Sequence, residues 1–303
     1  MLATSAAERF PHRSSLIQKA VMTPSAFKSA IETLQTTAAD DAAHVHWLVD
    51  QSALPPPPWL QRHLRSLEWA DLLQPDERVS PDGATPLVVS CANRQQTMRF
   101  ADSLFDVAQF ANAVSLLVCN SPLQELRKTL AARTRIVLPE NMQALLRFFD
   151  TRTLPQLPSV LSADQYALFM HGIEAWWFLD RWGDLQRMQQ PSTDLQHTAT
   201  LPITLDQRQE QLLVDDGLCD AVIDLLITQR HPAVTDATPP QQYELVQPLV
   251  AHAQRLGVSE PPGALAFVAK ALERGADFHE LEPWASGLAL FTAGRCTLSE
   301  ALV

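Results

Sequence analysis

The side chains that could bind a metal ion or act as a nucleophile are scattered along this 303-residue chain. His44 and His46 flank Val45, so both imidazoles would lie on one side of a strand, as two metal ligands would. No cysteine or carboxylate at ligand spacing completes the pair, and the sequence contains no H-x-x-x-H motif. We therefore predict that the protein holds no metal ion and no cofactor.

Patterns typical of nucleophilic catalysis and phosphate binding are also missing from the sequence. It contains no G-x-S-x-G motif and no glycine-rich phosphate loop, and it has only nine glycines. The four cysteines include no C-x-x-C pair, which argues against a disulfide framework. Cys219 lies on the apolar side of a predicted helix among acidic residues, a setting that disfavours a reactive thiolate. We predict that the protein is not an enzyme.

Arg147, Asp150 and Arg152 form a charged group at the end of a predicted strand. Arg147 and Asp150 are three residues apart, so on a strand they would point to opposite sides unless the backbone bends. Asp150 could hold the loop that follows while Arg147 covers a neighbouring helix, and we prefer this reading to a direct contact with a partner. Both readings stay open.

A second charged group lies on a predicted helix in the last third of the chain. Asp220 and Asp224 are four residues apart on its polar side. A continuous helix would turn Asp215 and Asp216 towards the apolar side. Either Gly217 breaks the helix, which we prefer, or a carboxylate is buried there.

Three of the seven tryptophans are close together in the segment from Ala175 to Met188, which turns at Gly183. The alternating pattern on both sides of the glycine predicts a β-hairpin with Trp176 on one face and Trp177 on the other. One face can pack on a sheet, whereas the other needs a cover from the helical region or from a partner. Because exposed aromatic residues often anchor interfaces, these two residues and Trp182 are candidate contacts.

The first two thirds of the chain alternate between strand and helix patterns. Thr23-Pro24 predicts a helix start, and residues 44–50 alternate as a strand does. Residues 86–91 and 114–119 are continuously apolar, with a helical pattern between them. This βαβ pattern predicts that the two strands are parallel neighbours.

A hairpin and further helices are predicted next. The pattern S-P-L-Q at Ser121 predicts a helix, and residues 135–138 and 144–149 are predicted strands around the turn at 139–141. Ser162 and Gln165 form a capping-box pattern that starts another helix.

The predicted fold is an α/β N-terminal lobe with a mixed, partly parallel sheet, followed by an all-α C-terminal lobe. Beyond residue 203 the start and stop signals are almost entirely helical. The predicted organisation is a loosely ordered N-terminus (1–22), an α/β domain (23–190), a polar linker (191–202) and a helical domain (203–303).

The formal net charge of −11 is concentrated in the second half of the chain. Residues 1–150 carry 14 basic and 15 acidic side chains, whereas residues 151–303 carry 9 and 19, a net of −10. Such a surface repels nucleic acid and anionic lipid, so we predict neither as a partner, and it would steer a basic polypeptide. Without an apolar leader or an 18-residue apolar span, we expect a cytoplasmic protein.

The stretch from residue 145 to residue 188 resembles a known family. The run R-F-F-D-T-R (147–152), followed by Leu154, is similar to the "R-F-Y-D-P-R-x-L" motif of type VI secretion effector adaptors, chaperones long described only as a domain of unknown function. L-S-A-D-Q (161–165) and H-G-I (171–173) are similar to that family's "L-x-x-x-Q" and "F-G-P-I" segments. Thr151 stands where the family usually has proline.

The resemblance implies a cytoplasmic adaptor that binds a specific secreted toxin and helps place it on the spike protein of the type VI apparatus. Two other functions stay open: a toxin-neutralising immunity protein, and a hydrolase or nucleotide-handling enzyme with its site at the strand ends. The candidate partner-binding residues are Arg147, Asp150, Arg152, Trp176, Trp177, Trp182, Asp220 and Asp224.

Overall fold

The structure, a computed structural model, describes residues 23, 26–27, 29–32, 44–54, 58–74, 85–192 and 199–303. They divide into two compact units, one within residues 20–211 and one formed by residues 212–303. The predicted fold class is confirmed, because strands and helices make up the first region and helices the second. The predicted loose N-terminus (1–22) and the middle of the predicted linker (193–198) lie outside the described residues.

The strands of the described residues are, in chain order, β1 (His44–Asp50), β2 (Glu68–Asp71), β3 (Pro86–Cys91), β4 (Val114–Cys119), β5 (Arg135–Val137), β6 (Gln143–Leu145), β7 (Ala175–Leu179), β8 (Leu185–Arg187) and β9 (Ile203–Thr204). The helices are α1 (Pro58–Leu64), α2 (Arg94–Ala108), α3 (Leu123–Arg133), α4 (Leu157–Val160), α5 (Ala163–Met170), α6 (Gln207–Thr228), α7 (Pro232–Thr235), α8 (Pro239–Arg255), α9 (Pro261–Arg274), α10 (Trp284–Thr292) and α11 (Leu298–Ala301). None of them is both long and apolar enough to cross a bilayer.

The main sheet has six strands in the order β2-β3-β1-β4-β7-β8. Each of its five neighbouring strand pairs is antiparallel. Strand β1 lies between β3 and β4. The prediction that β3 and β4 are parallel neighbours is therefore wrong: they run in the same direction but are separated. The strand–helix–strand pattern predicts correctly that β3 and β4 run in the same direction. The place between them is taken by β1, which comes from earlier in the chain and whose last five residues are buried.

Both faces of the central strands are covered. On one face Trp47, Val89 and Leu116 pack with Phe100 and Leu104 of helix α2 in one buried cluster. Because side chains alternate along a strand, the residues between these, including His46, Ser115 and Trp176, lie on the other face. The continuously apolar strands of the sequence thus reflect burial on both sides.

A second sheet, in the order β6-β5-β9, contains a parallel pair, β5 with β9. Strands β5 and β6 form the predicted hairpin around residues 139–141. The predicted strand 144–149 is wrong from residue 146 onwards, because β6 ends at Leu145. The chain then turns so that Phe148 and Phe149 become buried at 0% and 3% exposure, which a straight edge strand could not achieve for both.

The predicted helix starts at Thr23 and Ser162 are confirmed. At Thr23 the side-chain oxygen accepts a hydrogen bond from the backbone N–H of Ala26, and residues 26–27 and 29–32 are helical. Ser162 and Gln165 form the capping box that begins α5. Helix α3 begins at Leu123, so the predicted helix is present, but its N-cap is Pro122, which forms no side-chain hydrogen bond. The predicted capping pattern with Ser121 as the cap is therefore wrong.

Helices α6 to α11 build the second region around one apolar core. Helix α6 runs unbroken from Gln207 to Thr228, so the expectation that Gly217 breaks the helix is wrong. Burial of Leu218 and Val222 outweighs the small helix preference of glycine. The alternative of a buried carboxylate is wrong too, because Asp215 is only partly buried and Asp216 is exposed.

Because α6 passes through Gly217, we expect Gly217→Ala to raise the free energy of unfolding by about 1 kcal/mol. A Cβ at this position would meet no atom within 4 Å, so the substitution adds helix preference without a clash. Urea unfolding of the full chain measures the change. Gly294→Ala is the matched control and should destabilise, because Gly294 has a φ of +68°. A loss of stability in Gly217→Ala would show that the helix does not tolerate a side chain there.

Candidate partner-binding site

Residues 147–152 form a tight turn, here called the signature turn, after strand β6. The backbone N–H of Asp150 donates to the carbonyl of Arg147 at 2.9 Å. The carboxylate of Asp150 accepts a hydrogen bond from the backbone N–H of Arg152 at 3.1 Å. Asp150 therefore holds the loop that follows it, as the preferred reading of the sequence expected.

The Asp150 carboxylate also forms a two-point ion pair with Arg152. Nε donates to Oδ1 at 2.9 Å and Nη2 donates to Oδ2 at 2.6 Å. The side chain of Asp150 is only 13% exposed, so this pair is better shielded from water than an ordinary surface pair. The negative charge is thus neutralised inside the turn.

Arg147 is the outward-facing member of the turn. Its Nη2 lies 3.3 Å from Oδ2 of Asp50, and its guanidinium lies 5.5 Å from the centre of the Phe149 ring. Rather than covering a helix, it joins the turn to the end of β1. Its side chain is still 53% exposed and can contact another protein.

Thr151 fixes the turn to two other strands of the main sheet. Its backbone N–H donates to the carbonyl of Asn112, just before β4, at 2.8 Å. Its hydroxyl donates to the carbonyl of Leu179, the last residue of β7, at 2.6 Å. The side chain is 1% exposed, so both bonds are shielded from water. The signature turn therefore connects the ends of β1, β4 and β7.

The predicted tryptophan hairpin is confirmed as β7 and β8, which pair antiparallel around Gly183. Gly183 has a φ of +78°, and a Cβ there would lie 2.7 Å from the side chain of Gln109. Trp176 is fully buried, whereas Trp177 is partly buried beneath the guanidinium of Arg187, 5.4 Å from its ring. Trp182 is 37% exposed at the turn.

Trp176 is the centre of an aromatic cluster that includes the signature turn. Its ring meets Phe148 edge-on at 5.6 Å and stacks with Phe169 of helix α5 at 5.4 Å. Such pairs add stability beyond the area they bury. Trp176 thus belongs to the core. Trp177 packs against the buried cluster on the other face of the sheet and keeps only part of its surface accessible, whereas Trp182 is exposed.

Asp220 and Asp224 lie on helix α6 in the second unit, apart in the chain from the signature turn. Asp224 is exposed and Asp220 is partly buried. They lie away from the buried side formed by Cys219, Val222 and Ile223, as the sequence pattern predicted.

His46 is a buried structural histidine. Its Nε2 lies 3.1 Å from the carbonyl of Ser121 and, as the neutral tautomer, donates to it. Burial, and to a smaller extent the charge of His44, lower the pKa of His46 to about 4. The described residues contain no group of three or more histidine, cysteine or acidic side chains that could hold a metal ion.

The lowered pKa of His46 predicts a loss of stability in weak acid. The unfolded chain binds the proton near the ordinary value of 6.5, whereas the folded chain resists protonation until about 4. The stability is therefore complete above 6.5 and falls as the pH drops towards 4. Between about pH 7.5 and about pH 5.5 we expect His46 to account for a loss of about 1 kcal/mol.

Urea unfolding at the two pH values tests this contribution in the wild type and in His46→Gln. Glutamine can donate to the Ser121 carbonyl but does not titrate. The variant should lose about 1 kcal/mol less than the wild type over the same pH range. Equal losses in both proteins would contradict the assignment.

Two structural residues of this region were missed at the sequence level. Asp50 ends β1 and accepts hydrogen bonds from the backbone and hydroxyl of Ser52 as well as from Arg147. Arg133, in the last turn of α3, is 1% exposed and donates through Nη2 to the carbonyl of His171. Burial lowers the pKa of Arg133 to about 10. The contacts of Asp50 with Arg147 and of Arg133 with His171 have no local sequence signal, because these partners are distant in the chain.

Residues 32–168 match the model of a family described as a domain of unknown function, DUF4123. No curated protein and no solved structure matches the chain. The matched part contains the signature turn and strands β1 to β6, and the helical unit lies beyond it.

Proposed function

We propose that this protein is a non-enzymatic adaptor of type VI secretion. It binds one effector toxin in the cytoplasm and helps to load it onto the spike protein. The observation that carries the proposal is the match of residues 32–168 to DUF4123, a family associated with type VI effector adaptors, together with the R-F-F-D-T-R run inside that match.

The geometry of the signature turn supports a scaffold role for these motif residues. The charge of Asp150 is satisfied by Arg152, and Thr151 is bonded to two strand ends. A catalytic group would need to face a substrate, whereas these groups face one another. In the proposed adaptor they hold the sheet in shape, and partner contact is left to exposed side chains.

The candidate contact residues then fall into two classes. Arg147, Trp177 and Trp182 keep accessible surface on the first unit and are proposed to contact a partner directly. On the second unit, Asp220 and Asp224 contribute to an acidic surface that favours a basic partner.

Affinity purification of the tagged full chain from the cells that encode it tests the proposal. An adaptor should retrieve both a toxin and a spike protein. Retrieval of the toxin alone would indicate an immunity protein, and retrieval of neither would favour an enzyme.

A secretion assay supplies the second test. Cells that lack this chain should fail to export the toxin while other type VI substrates are still exported. Full export of the toxin from such cells would overturn the proposal.

A further inference from the structure

Strand β6 forms an open edge of the second sheet. It is the outer strand in the order β6-β5-β9, and within the described part of the chain nothing pairs with its far side. Residues 142, 144 and 146 face β5, because Met142 and Leu146 form backbone hydrogen bonds with the opposite side of the hairpin. The backbone N–H and C=O groups of Gln143 and Leu145 therefore point away from the sheet.

Two other sheet edges are closed by side chains of this chain. At the edge of β2, Nε of Arg127 donates to the carbonyl of Asp71 at 2.8 Å. At the edge of β9, Nε2 of Gln165 donates to the carbonyl of Thr204 at 2.7 Å. Side chains that cover edge groups in this way hinder pairing with another chain. Among the described residues no side chain does so at β6, so its edge remains able to pair with a further strand.

The side chains at the β6 edge are apolar on both faces. Leu145 is 47% exposed on one face, and Met142 is 53% exposed on the other. The run from Met142 to Leu146 contains no charged residue and no proline, the two kinds of residue that commonly protect an edge strand. A strand that pairs here would therefore cover apolar side chains as well as backbone groups.

The edge is complementary to itself under two-fold symmetry. An antiparallel copy centred on Ala144 would place Gln143 opposite Leu145 of the second copy, and four backbone hydrogen bonds would form. Arg147 is 53% exposed just after the strand, and Glu140 is exposed just before it. The antiparallel arrangement would bring each arginine towards the glutamate of the other copy, so that opposite charges meet at both ends.

The charged side chains around β6 balance one another. Arg135, exposed on β5, and Arg147 are matched by Glu140 and by Asp50, which lies 3.3 Å from Arg147. Residues 1–150 as a whole carry 14 basic and 15 acidic side chains. A balanced surface neither repels a second copy nor selects a strongly acidic or basic partner, and charges more than about 8 Å apart are largely screened at physiological ionic strength.

We propose that β6 pairs with β6 of a second copy of this chain, which joins the two small sheets into one in the order β9-β5-β6-β6-β5-β9. Because the paired edge is short, the dimer is reversible, with a dissociation constant on the order of 10–100 µM. The β9 edge is already covered by Gln165, so assembly stops at two copies. This interface goes beyond the adaptor function and does not depend on it.

Sedimentation velocity of the purified full chain between about 1 µM and about 500 µM tests the pairing. It should show a monomer–dimer equilibrium and no larger species, and a monomer throughout this range would overturn the proposal. Amide exchange resolved by residue locates the interface. The amides of Gln143 and Leu145 should exchange more slowly in the dimer, whereas the amide of Ala144, which faces β5, should not change.

Gln143→Pro removes an outward N–H and leaves the bonds to β5 in place, so it should weaken the dimer at least about tenfold without unfolding the chain. Gln143→Thr is the matched control, because it keeps the N–H, and it should change the dissociation constant less than about threefold. Leu145→Lys, the second variant, places a charge on the edge and should also weaken the dimer at least about tenfold.

Melting temperatures establish that all variants are folded. A dimer that persists in both Gln143→Pro and Leu145→Lys would have another interface and would overturn the proposal. If the wild type is monomeric but these variants lose a protein that the wild type retrieves from the native cells, the edge binds a strand of that protein, and the assignment to a second copy is overturned. Dimerisation is measured on the purified chain alone, so its failure and the failure of the adaptor function are distinguishable.

Discussion

Replacing Trp176 with alanine is expected to lower the free energy of unfolding by about 3–5 kcal/mol. The side chain is fully buried, stacks with Phe169 at 5.4 Å and meets Phe148 edge-on at 5.6 Å. Its removal leaves a cavity between β7, helix α5 and the signature turn, which the aromatic neighbours cannot fill without moving. Urea unfolding followed by tryptophan fluorescence and circular dichroism measures the change.

Trp182→Ala is the matched control, because it removes the same side chain from a position that is 37% exposed. It should cost at least about 2 kcal/mol less than Trp176→Ala. Similar losses in the two variants would mean that Trp176 does not have the central packing role assigned to it here. The comparison also separates folding from recognition, since Trp182 is a proposed contact residue and Trp176 is not.

Local patterns predicted much of the first unit correctly. The capping box at Ser162 and the turn at Gly183 were predicted because each depends on residues a few positions apart. The position of β1 between β3 and β4 could not be predicted in this way. A strand that is apolar on both faces can fill any central place in a sheet, and the choice depends on contacts with residues far along the chain.

In the second unit, a prediction from a local pattern was wrong because tertiary contacts override it. Gly217 carries a local signal for a helix end, yet α6 continues through it. Core contacts of Leu218 and Val222 on one side of the glycine, and the helix already formed on the other, outweigh a preference of about 1 kcal/mol. Tertiary packing decides whether a helix ends at such a glycine, and these long-range contacts cannot be derived from a single sequence.

The candidate site was predicted in composition but not in arrangement. Asp150 was expected to hold its loop, and it does so through the backbone of Arg152. The contact of Arg147 with Asp50 joins residues that are 97 positions apart, so no local sequence pattern predicts it.

The second large effect is expected at Thr151, where the resembling family usually has proline. Thr151→Pro removes the backbone N–H that donates to Asn112 and the hydroxyl that donates to Leu179, both in a buried site. Two carbonyls at the ends of β4 and β7 lose a bond, and we expect a loss of about 3 kcal/mol or more in unfolding free energy. Chemical unfolding of the full chain measures it.

Thr151→Val separates the two bonds, because valine keeps the backbone N–H and nearly the same shape. It should cost about 1–3 kcal/mol, less than the proline variant. Under the adaptor proposal, Thr151→Val should still retrieve its partners at temperatures where it is folded, since Thr151 is 1% exposed and its hydroxyl is bonded to Leu179. Equal stability of Thr151→Pro and the wild type would show that the turn does not need these bonds. Loss of partners by a folded Thr151→Val would mean instead that the turn itself takes part in recognition.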